Sequence, residues 1–146
     1  MKSVAKNKRA YFDYEILEKY TAGIQLQGSE VKSIKAGKTS IAEAYCYVHE
    51  GELFIKGMHV TEHKEGGKYY NHEPFRDKKL LMKKKEIANL DENVGRKGLT
   101  IVPLDVILSN TGFVKIEIGL AKGKHNYDKR NSLKEKDLKR EIERNS

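Results

Sequence analysis

VPLDVILSNTGFVKIEIGL, running from Val102 to Leu120, puts Val102, Leu104, Val106 and Leu108 at every second position. It turns at Asn110-Thr111-Gly112 and returns with Val114, Ile116, Ile118 and Leu120 alternating with Lys115 and Glu117. Period two sends successive side chains to opposite faces of a strand, and a glycine-bearing turn between two such runs predicts a β-hairpin. The same rhythm extends from Ala10 to about Lys122. Phe12, Tyr14 and Ile16 alternate with Asp13 and Glu15, and Ile24 and Leu26 with Gln25 and Gln27. Tyr45 and Tyr47 lead to the turn signal His49-Glu50-Gly51, after which Leu53 and Ile55 alternate with Phe54 and Lys56 as a hairpin partner would.

Two segments break this rhythm. Ser29 is suited to cap a helix with Glu30 in its first turn, Val31 and Ile34 on one side and Gly37 as its stop. Asp77 is suited to open another, with Leu80, Leu81, Ile87 and Leu90 on one side and Lys83, Lys84 and Lys85 outside. About six strands with two or three short helices predict a mainly β (α+β) fold. Because closure removes exposed strand edges, the expected architecture is a small closed antiparallel OB-like barrel. There is no internal repeat.

With 146 residues the chain has room for one domain plus tails. Lys and Arg number 29 against 21 Asp and Glu, a formal net charge of +8, and the pI is about 9.4. Such a balance favours polyanions through field steering and counterion release. Apolar runs are only a few residues long, which argues against a membrane partner. The opening MKSVAKNKRAYF is basic but has no apolar run behind it, so a cytoplasmic protein is expected. Cys46 is the single cysteine; an internal disulfide and a multi-cysteine zinc site are excluded, and a small buried or half-buried thiol is expected.

The chain divides into a barrel with a basic N-terminal segment, residues 1–122, and a basic tail, 123–146. Residues 1–120 hold 20 basic and 16 acidic residues and residues 121–146 hold 9 and 5, so each part carries +4 and the tail is far denser in charge. Leu133, Leu138 and Ile142 make no broad apolar stripe there. Ser132 with Glu135 forms a capping box and Glu135 to Lys139 a favourable i, i+4 pair, so helix is locally encouraged. A helix of this length is marginal alone, and the tail is expected to order on a partner.

Catalytic and metal-binding patterns are weak. Gly37-Lys38-Thr39 lacks the glycine five residues earlier that a phosphate-binding loop needs, since Lys32 stands there. His59, His63 and His72 have neither cysteine partners nor the HExxH spacing, so no metal or other cofactor is expected. No nucleophile with an adjacent base stands out. The basic clusters are more telling. Lys6, Lys8 and Arg9 precede Tyr11 and Phe12; Arg76, Lys78 and Lys79 precede an apolar run; Lys122, Lys124, Lys129 and Arg130 bracket His125 and Tyr127. Cations neutralise phosphates while rings stack on unpaired bases, the usual way in which RNA is held.

Several long motifs then follow one another in an order that resembles the SmpB family: NKRAYFDYEILEKYTAGIQLQG from Asn7, GSEVKSIKAGK from Gly28, NHEPFRDKKLLM from Asn71, LTIVPL from Leu99 and AKGKHNYDKR from Ala121. The resemblance spans Asn7 to about Arg144. It implies a non-enzymatic protein whose OB-like barrel grips the tRNA-like part of transfer-messenger RNA and delivers it to stalled ribosomes for trans-translation. It implies further that the tail engages the small-subunit decoding centre and the empty mRNA channel, and that elongation factor Tu and alanyl-tRNA synthetase are indirect partners. By the same resemblance Asn7, Lys8, Arg9, Lys32, Arg76 and Leu81 belong to the RNA-facing set, to which the basic cluster before the apolar run adds Lys78 and Lys79. Lys122, Lys124, His125, Tyr127, Asp128, Lys129, Arg130, Lys134, Lys136 and Arg140 belong to the ribosome-facing tail. Thr21 stands where many members carry an acidic residue, and Lys78 and Lys83 where arginine and histidine are common. The alternatives from other classes are a general single-strand-binding or ribosomal OB protein and, further off, an enzyme.

Overall fold

In the computed structural model, which describes residues 1–63 and 71–123, the elements run β1 (Lys2–Lys6), α1 (Lys8–Asp13), β2 (Tyr14–Ile24), α2 (Gly28–Lys35), β3 (Thr39–Ser40), β4 (Tyr45–His49), β5 (Glu52–Lys56), β6 (His59–Val60), β7 (Lys78–Leu81), α3 (Lys84–Lys97), β8 (Thr100–Leu108) and β9 (Val114–Gly123). Six strands close a ring in the order β8, β4, β5, β7, β2, β9 and back to β8, with antiparallel pairing throughout. This is the closed barrel that the alternating pattern predicts. β1 adds to β8 from Lys2↔Leu108 to Lys6↔Asp105, and β3 pairs with β6 outside the ring.

Both expected hairpins form. Glu50 and Gly51 take positive φ, 51° and 80°, the pair that a two-residue type I′ turn requires, and β4 pairs with β5 from Tyr45↔Lys56 to His49↔Glu52. β8 pairs with β9 from Leu108↔Val114 back to Thr100↔Ala121, but the register shifts between Pro103 and Asp105. A bulge adds one residue to a strand and reverses its in-out phase, and proline, which has no N–H to give, is at home beside one. Val102, Leu104, Val106 and Leu108 therefore do not share a face. Ile101 and Val106 enter the main core with Ile116, Ile118 and Leu120, whereas Val102 and Leu104 face outward and pack with Ala10 and Ala121.

Asn7 stitches this bulge to α1. Its backbone N–H donates to the Leu104 carbonyl at 2.9 Å, and its amide nitrogen donates to the Pro103 carbonyl at 2.9 Å. Its amide oxygen caps α1 by accepting from the Ala10 N–H at 3.2 Å. The strand expected through Phe12 is consequently a helical turn, β2 begins only at Tyr14, and Phe12 is left 78% exposed. The outer layer is tight: a Cβ at Gly119 would come within 2.9 Å of Ile16 Cγ2 and 3.0 Å of Leu104 Cδ1. Asn7→Ala should cost about 1–3 kcal/mol, the penalty of orphaning buried polar groups, measurable as a lower urea midpoint with an unchanged slope.

The other departures are also tertiary. α2 is capped at Gln27 instead of Ser29, with Glu30 accepting from the Gln27 N–H at 2.7 Å; Gly37, at φ 80°, follows its end as expected. The helix expected from Asp77 starts only at Lys84, because Lys78 to Leu81 are drawn into the ring between β5 and β2. Ile87 and Leu90 of α3 are buried against the main core. Cys46 lies in the same core, where burial pushes its thiol far above the usual range and leaves it an inert packing group.

Candidate nucleic-acid interface

Once Lys78–Leu81 is a strand, period two sorts its side chains. Lys78 pairs with Ile55 and points inward, Lys79 pairs with Phe54 and points outward, Leu80 is buried, and Leu81, paired with Gly23, is exposed. Lys78 is therefore not a surface cation: its side chain is 0% exposed, and its Nζ donates to the Arg76 carbonyl at 2.7 Å and lies 4.0 Å from Glu30 Oε2. Burial lowers its pKa, opposed by the Glu30 carboxylate.

Glu30 is the centre of this arrangement. It is fully buried, and the Arg76 guanidinium grips both its oxygens, Nη2 to Oε1 at 2.7 Å and Nε to Oε2 at 3.0 Å. Burial alone would raise the Glu30 pKa; the Arg76 fork, the Gln27 N–H and the two nearby cations outweigh it and hold the carboxyl below its ordinary value. The Glu30 bond in turn raises the pKa of Arg76, whose remaining donors reach the carbonyls of Asp77 at 3.3 Å and Gln25 at 3.4 Å.

Along the same face of α2, Ser29 Oγ meets His72 Nδ1 at 2.8 Å and Ser33 Oγ donates to the Thr61 carbonyl at 2.7 Å. His72 Nε2 faces the Val60 carbonyl and His63 Nε2 the Ser29 carbonyl, both at 2.9 Å. A carbonyl only accepts, so Nε2 is the donor in both contacts. His59 lies against the Phe75 ring at 4.9 Å between centroids. Among the described residues no group of three or more His, Cys, Asp or Glu is placed to hold a metal ion. The polar half of GSEVKSIK thus fastens α2 to the segment leading into β7, leaving Lys32 and Lys35 exposed.

The outer face is organised by β2, whose Ala22 points into the core while Lys19 and Thr21 are exposed. Tyr11 of α1 flanks one end of this strand, with Lys19 Nζ 5.3 Å from its ring centroid, and raises the Lys19 pKa by hydrogen bonding. Leu81, 45% exposed, packs over Gly23 at the other end, where a glycine Cβ would sit 3.4 Å from Leu81 Cβ. The cationic groups fall at the two ends of β2: Lys8 and Arg9 on α1 beside its start, Lys32 and Lys79 near its finish. At roughly 3.3 Å per residue the spine between them is about 33 Å long. Arg9 pairs with Asp13 at 3.3 Å, both near the surface, and Lys79 with Glu52 at 2.9 Å; exposed pairs of this kind are weak and readily exchanged for a phosphate.

Of the residues expected to face RNA, Lys8, Arg9, Lys32 and Leu81 are exposed, Lys79 is half-buried on the outer face, Arg76 is half-buried in the Glu30 clamp, and Asn7 and Lys78 are internal. Lys122 is exposed near the end of β9, opposite Glu15. Lys124, His125, Tyr127, Asp128, Lys129, Arg130, Lys134, Lys136 and Arg140 lie outside the described residues. Sequence reasoning missed Glu30, Ser29 and His72 as the lock and Lys19 as part of the outer row. The alternation of Lys19 and Thr21 with Tyr20 and Ala22 was the available signal for the latter. No helix among the described residues is long and apolar enough to cross a membrane.

A closed β-barrel with cations at both ends of one outer strand, and Lys19 beside the Tyr11 ring between them, fits a small nucleic-acid-binding barrel. The chain belongs to the SmpB protein family, whose model it matches over residues 4–146. A relative from Fusobacterium nucleatum named SsrA-binding protein is 55% identical over 141 residues, covering 97% of this chain and 94% of the relative. One of the same name from Phocaeicola vulgatus is 51% identical over 139 residues, covering 95% and 92%. A solved structure reported under the words "tmRNA-SmpB: a journey to the center of the bacterial ribosome" superposes with a TM-score of 0.69 at 40% identity, covering 88% of this chain and 92% of that one.

Proposed function

We propose that this protein is a non-enzymatic adaptor that binds the tRNA-like part of transfer-messenger RNA and brings it to stalled ribosomes for trans-translation. The observation that carries this reading is the family match over almost the whole chain, to relatives named for binding SsrA. The outer face of the barrel, with Lys8, Arg9, Lys19, Lys32 and Leu81, supports it as a surface that meets phosphates with cations and sugar or base edges with an exposed apolar group. Residues 1–122 act as the RNA-binding body and 123–146 as the part that enters the decoding centre and the vacant mRNA channel. Its place is then the cytoplasm, and elongation factor Tu and alanyl-tRNA synthetase meet it only through the shared RNA.

Competition between transfer-messenger RNA, ordinary tRNA and unstructured RNA for the full-length protein tests this. The adaptor prefers the tRNA-like fold; equal affinity for all three would make it a general binder. Within that assay, Lys8→Glu with Lys32→Glu should weaken binding and flatten the log-log salt dependence by roughly 0.7–0.9 per lost phosphate contact. Lys78→Met should leave both affinity and slope unchanged, because its ammonium is inside the barrel. Charge reversal at Arg76 is a poorer probe: it would set a second carboxylate against buried Glu30 and read as a folding defect.

A further inference from the structure

At the end of the barrel where β8 turns into β9, Phe113 holds its ring 67% exposed to solvent. The ring is presented by a fixed backbone. The Phe113 N–H donates to Ser109 Oγ at 3.0 Å, its carbonyl accepts from the Ser109 N–H at 2.8 Å, and Gly112 turns the chain with a φ of 92°. Beside it lies a groove of about 310 Å³ whose lining is Ile24, Leu26, Val31, Gly112, Phe113 and Val114. None of these side chains is polar, so the groove offers an apolar side-chain floor and one accessible aromatic ring.

Its rim is cationic. Lys35 follows Val31 by four residues and so shares its side of α2; its Nζ reaches the hairpin tip, 3.5 Å from where a Gly112 Cβ would stand. Lys32, also exposed, stands three residues before Lys35 and so neighbours it on the surface of α2. Among the described residues no acidic side chain lines the groove; Glu30 of the same helix is turned away and neutralised by Arg76. A flat apolar floor ringed by ammonium groups matches a nucleotide, whose base is planar and apolar on its faces and whose phosphates are anionic. An amphipathic protein helix, about 10 Å across, fits this small groove less well.

The geometry points to Phe113 and the Ile24–Leu26–Val31 groove as a subsite for one unpaired RNA base, stacked on the Phe113 ring, with its flanking phosphates held by Lys32 and Lys35. This rests on the RNA-binding reading above and adds to it a stacking contact that lies outside the expected RNA-facing set. Any base can use such a platform, since each has a π face, so the site selects for an unpaired nucleotide rather than for a sequence.

The chain contains no tryptophan, so Phe113→Trp places a single indole reporter at the site. Titrated with a transfer-messenger RNA transcript, this variant should show tryptophan quenching that saturates together with binding measured independently by filter retention. Phe113→Ala should weaken transcript binding about tenfold, within the range measured for loss of one stacked base, and Phe113→Leu should not recover it, because it restores apolar bulk without a π face. Transcript binding without quenching overturns the inference while leaving the RNA-binding reading intact. Full recovery by Phe113→Leu overturns it too and makes the groove an apolar docking surface for a protein. Failure of the unaltered protein to retain transcript would overturn the RNA-binding reading itself, and the subsite with it. Because Phe113 is exposed and outside both buried clusters, the three variants should keep the parent urea midpoint, which separates loss of contact from loss of fold.

Discussion

Truncation after Lys122 is expected to leave binding of transfer-messenger RNA within a few fold of the full-length protein and to abolish peptide tagging on ribosomes stalled at a message's end. All residues of the two buried clusters lie at or before Ala121, and the cut removes from the described barrel only the last cross-strand pair, Tyr14↔Gly123. The barrel and its outer row of cations therefore survive. What is lost is a segment in which 9 basic and 5 acidic residues fall within residues 121–146, less Lys122 itself, and which has no apolar stripe to pack on its own barrel. A message that has ended leaves its channel empty, and that channel is walled by phosphates. A cationic segment could occupy it only when no mRNA does, so its entry would report the vacancy by steric exclusion and by competition for the same phosphates. Lys129, Arg130, Lys134, Lys136 and Arg140 would neutralise the wall, and His125 or Tyr127 would stack near the decoding site. Filter binding and an in vitro tagging assay on the same preparation separate the two functions. Tagging at the full rate by the truncated protein would remove the tail from the mechanism.

Glu30→Ala should be the most destabilising single substitution among the polar residues, lowering stability by about 3–5 kcal/mol, the usual consequence of stripping one partner from a buried ion cluster. It would strip half-buried Arg76 and fully buried Lys78 of their main counter-charge and would free the Gln27 N–H that begins α2. The pH dependence has a definite sign. Because the folded carboxyl is held below its ordinary value of 4.5, its contribution is fully present above that value and is lost as the pH falls through it toward the depressed folded value. Glu30→Gln should therefore be less stable than the parent near neutrality, with the difference shrinking in acid. Adding Lys78→Met to Glu30→Gln should recover part of the loss by removing the stranded ammonium. Urea unfolding at several pH values measures all of this, and parallel acid profiles for parent and Glu30→Gln would show that the carboxylate contributes nothing through its charge.

Much of the barrel was legible because its turns are local. Glu50-Gly51 and the Asn110-Thr111-Gly112 segment set two hairpins with nearest-neighbour chemistry alone, and Gly37 ends α2 wherever the helix packs. The misread segments share a different cause. Lys78-Lys79-Leu80-Leu81 carries a pattern compatible with a helix or a short strand, and its state was decided by edges of β5 and β2 more than twenty and fifty residues away in sequence. Phe12 fits a strand by alternation, yet Asn7 closes a helical turn there because its amide is already engaged with the Leu104 bulge.

By itself, the sequence determined the class: alternation at period two made the barrel, the turn glycines located its hairpins, the charge of +8 named a polyanion as partner, and the order of motifs from Asn7 to Arg130 carried the family. Only the tertiary structure decided which of these residues face outward. One extra residue at Leu104 reverses the phase of half a strand, and ring closure assigns adjacent lysines, 78 and 79, to opposite sides of the barrel wall. Periodicity specifies that neighbours in a strand point in opposite directions; which direction is inward depends on non-local pairing, and that is settled only when the ring closes.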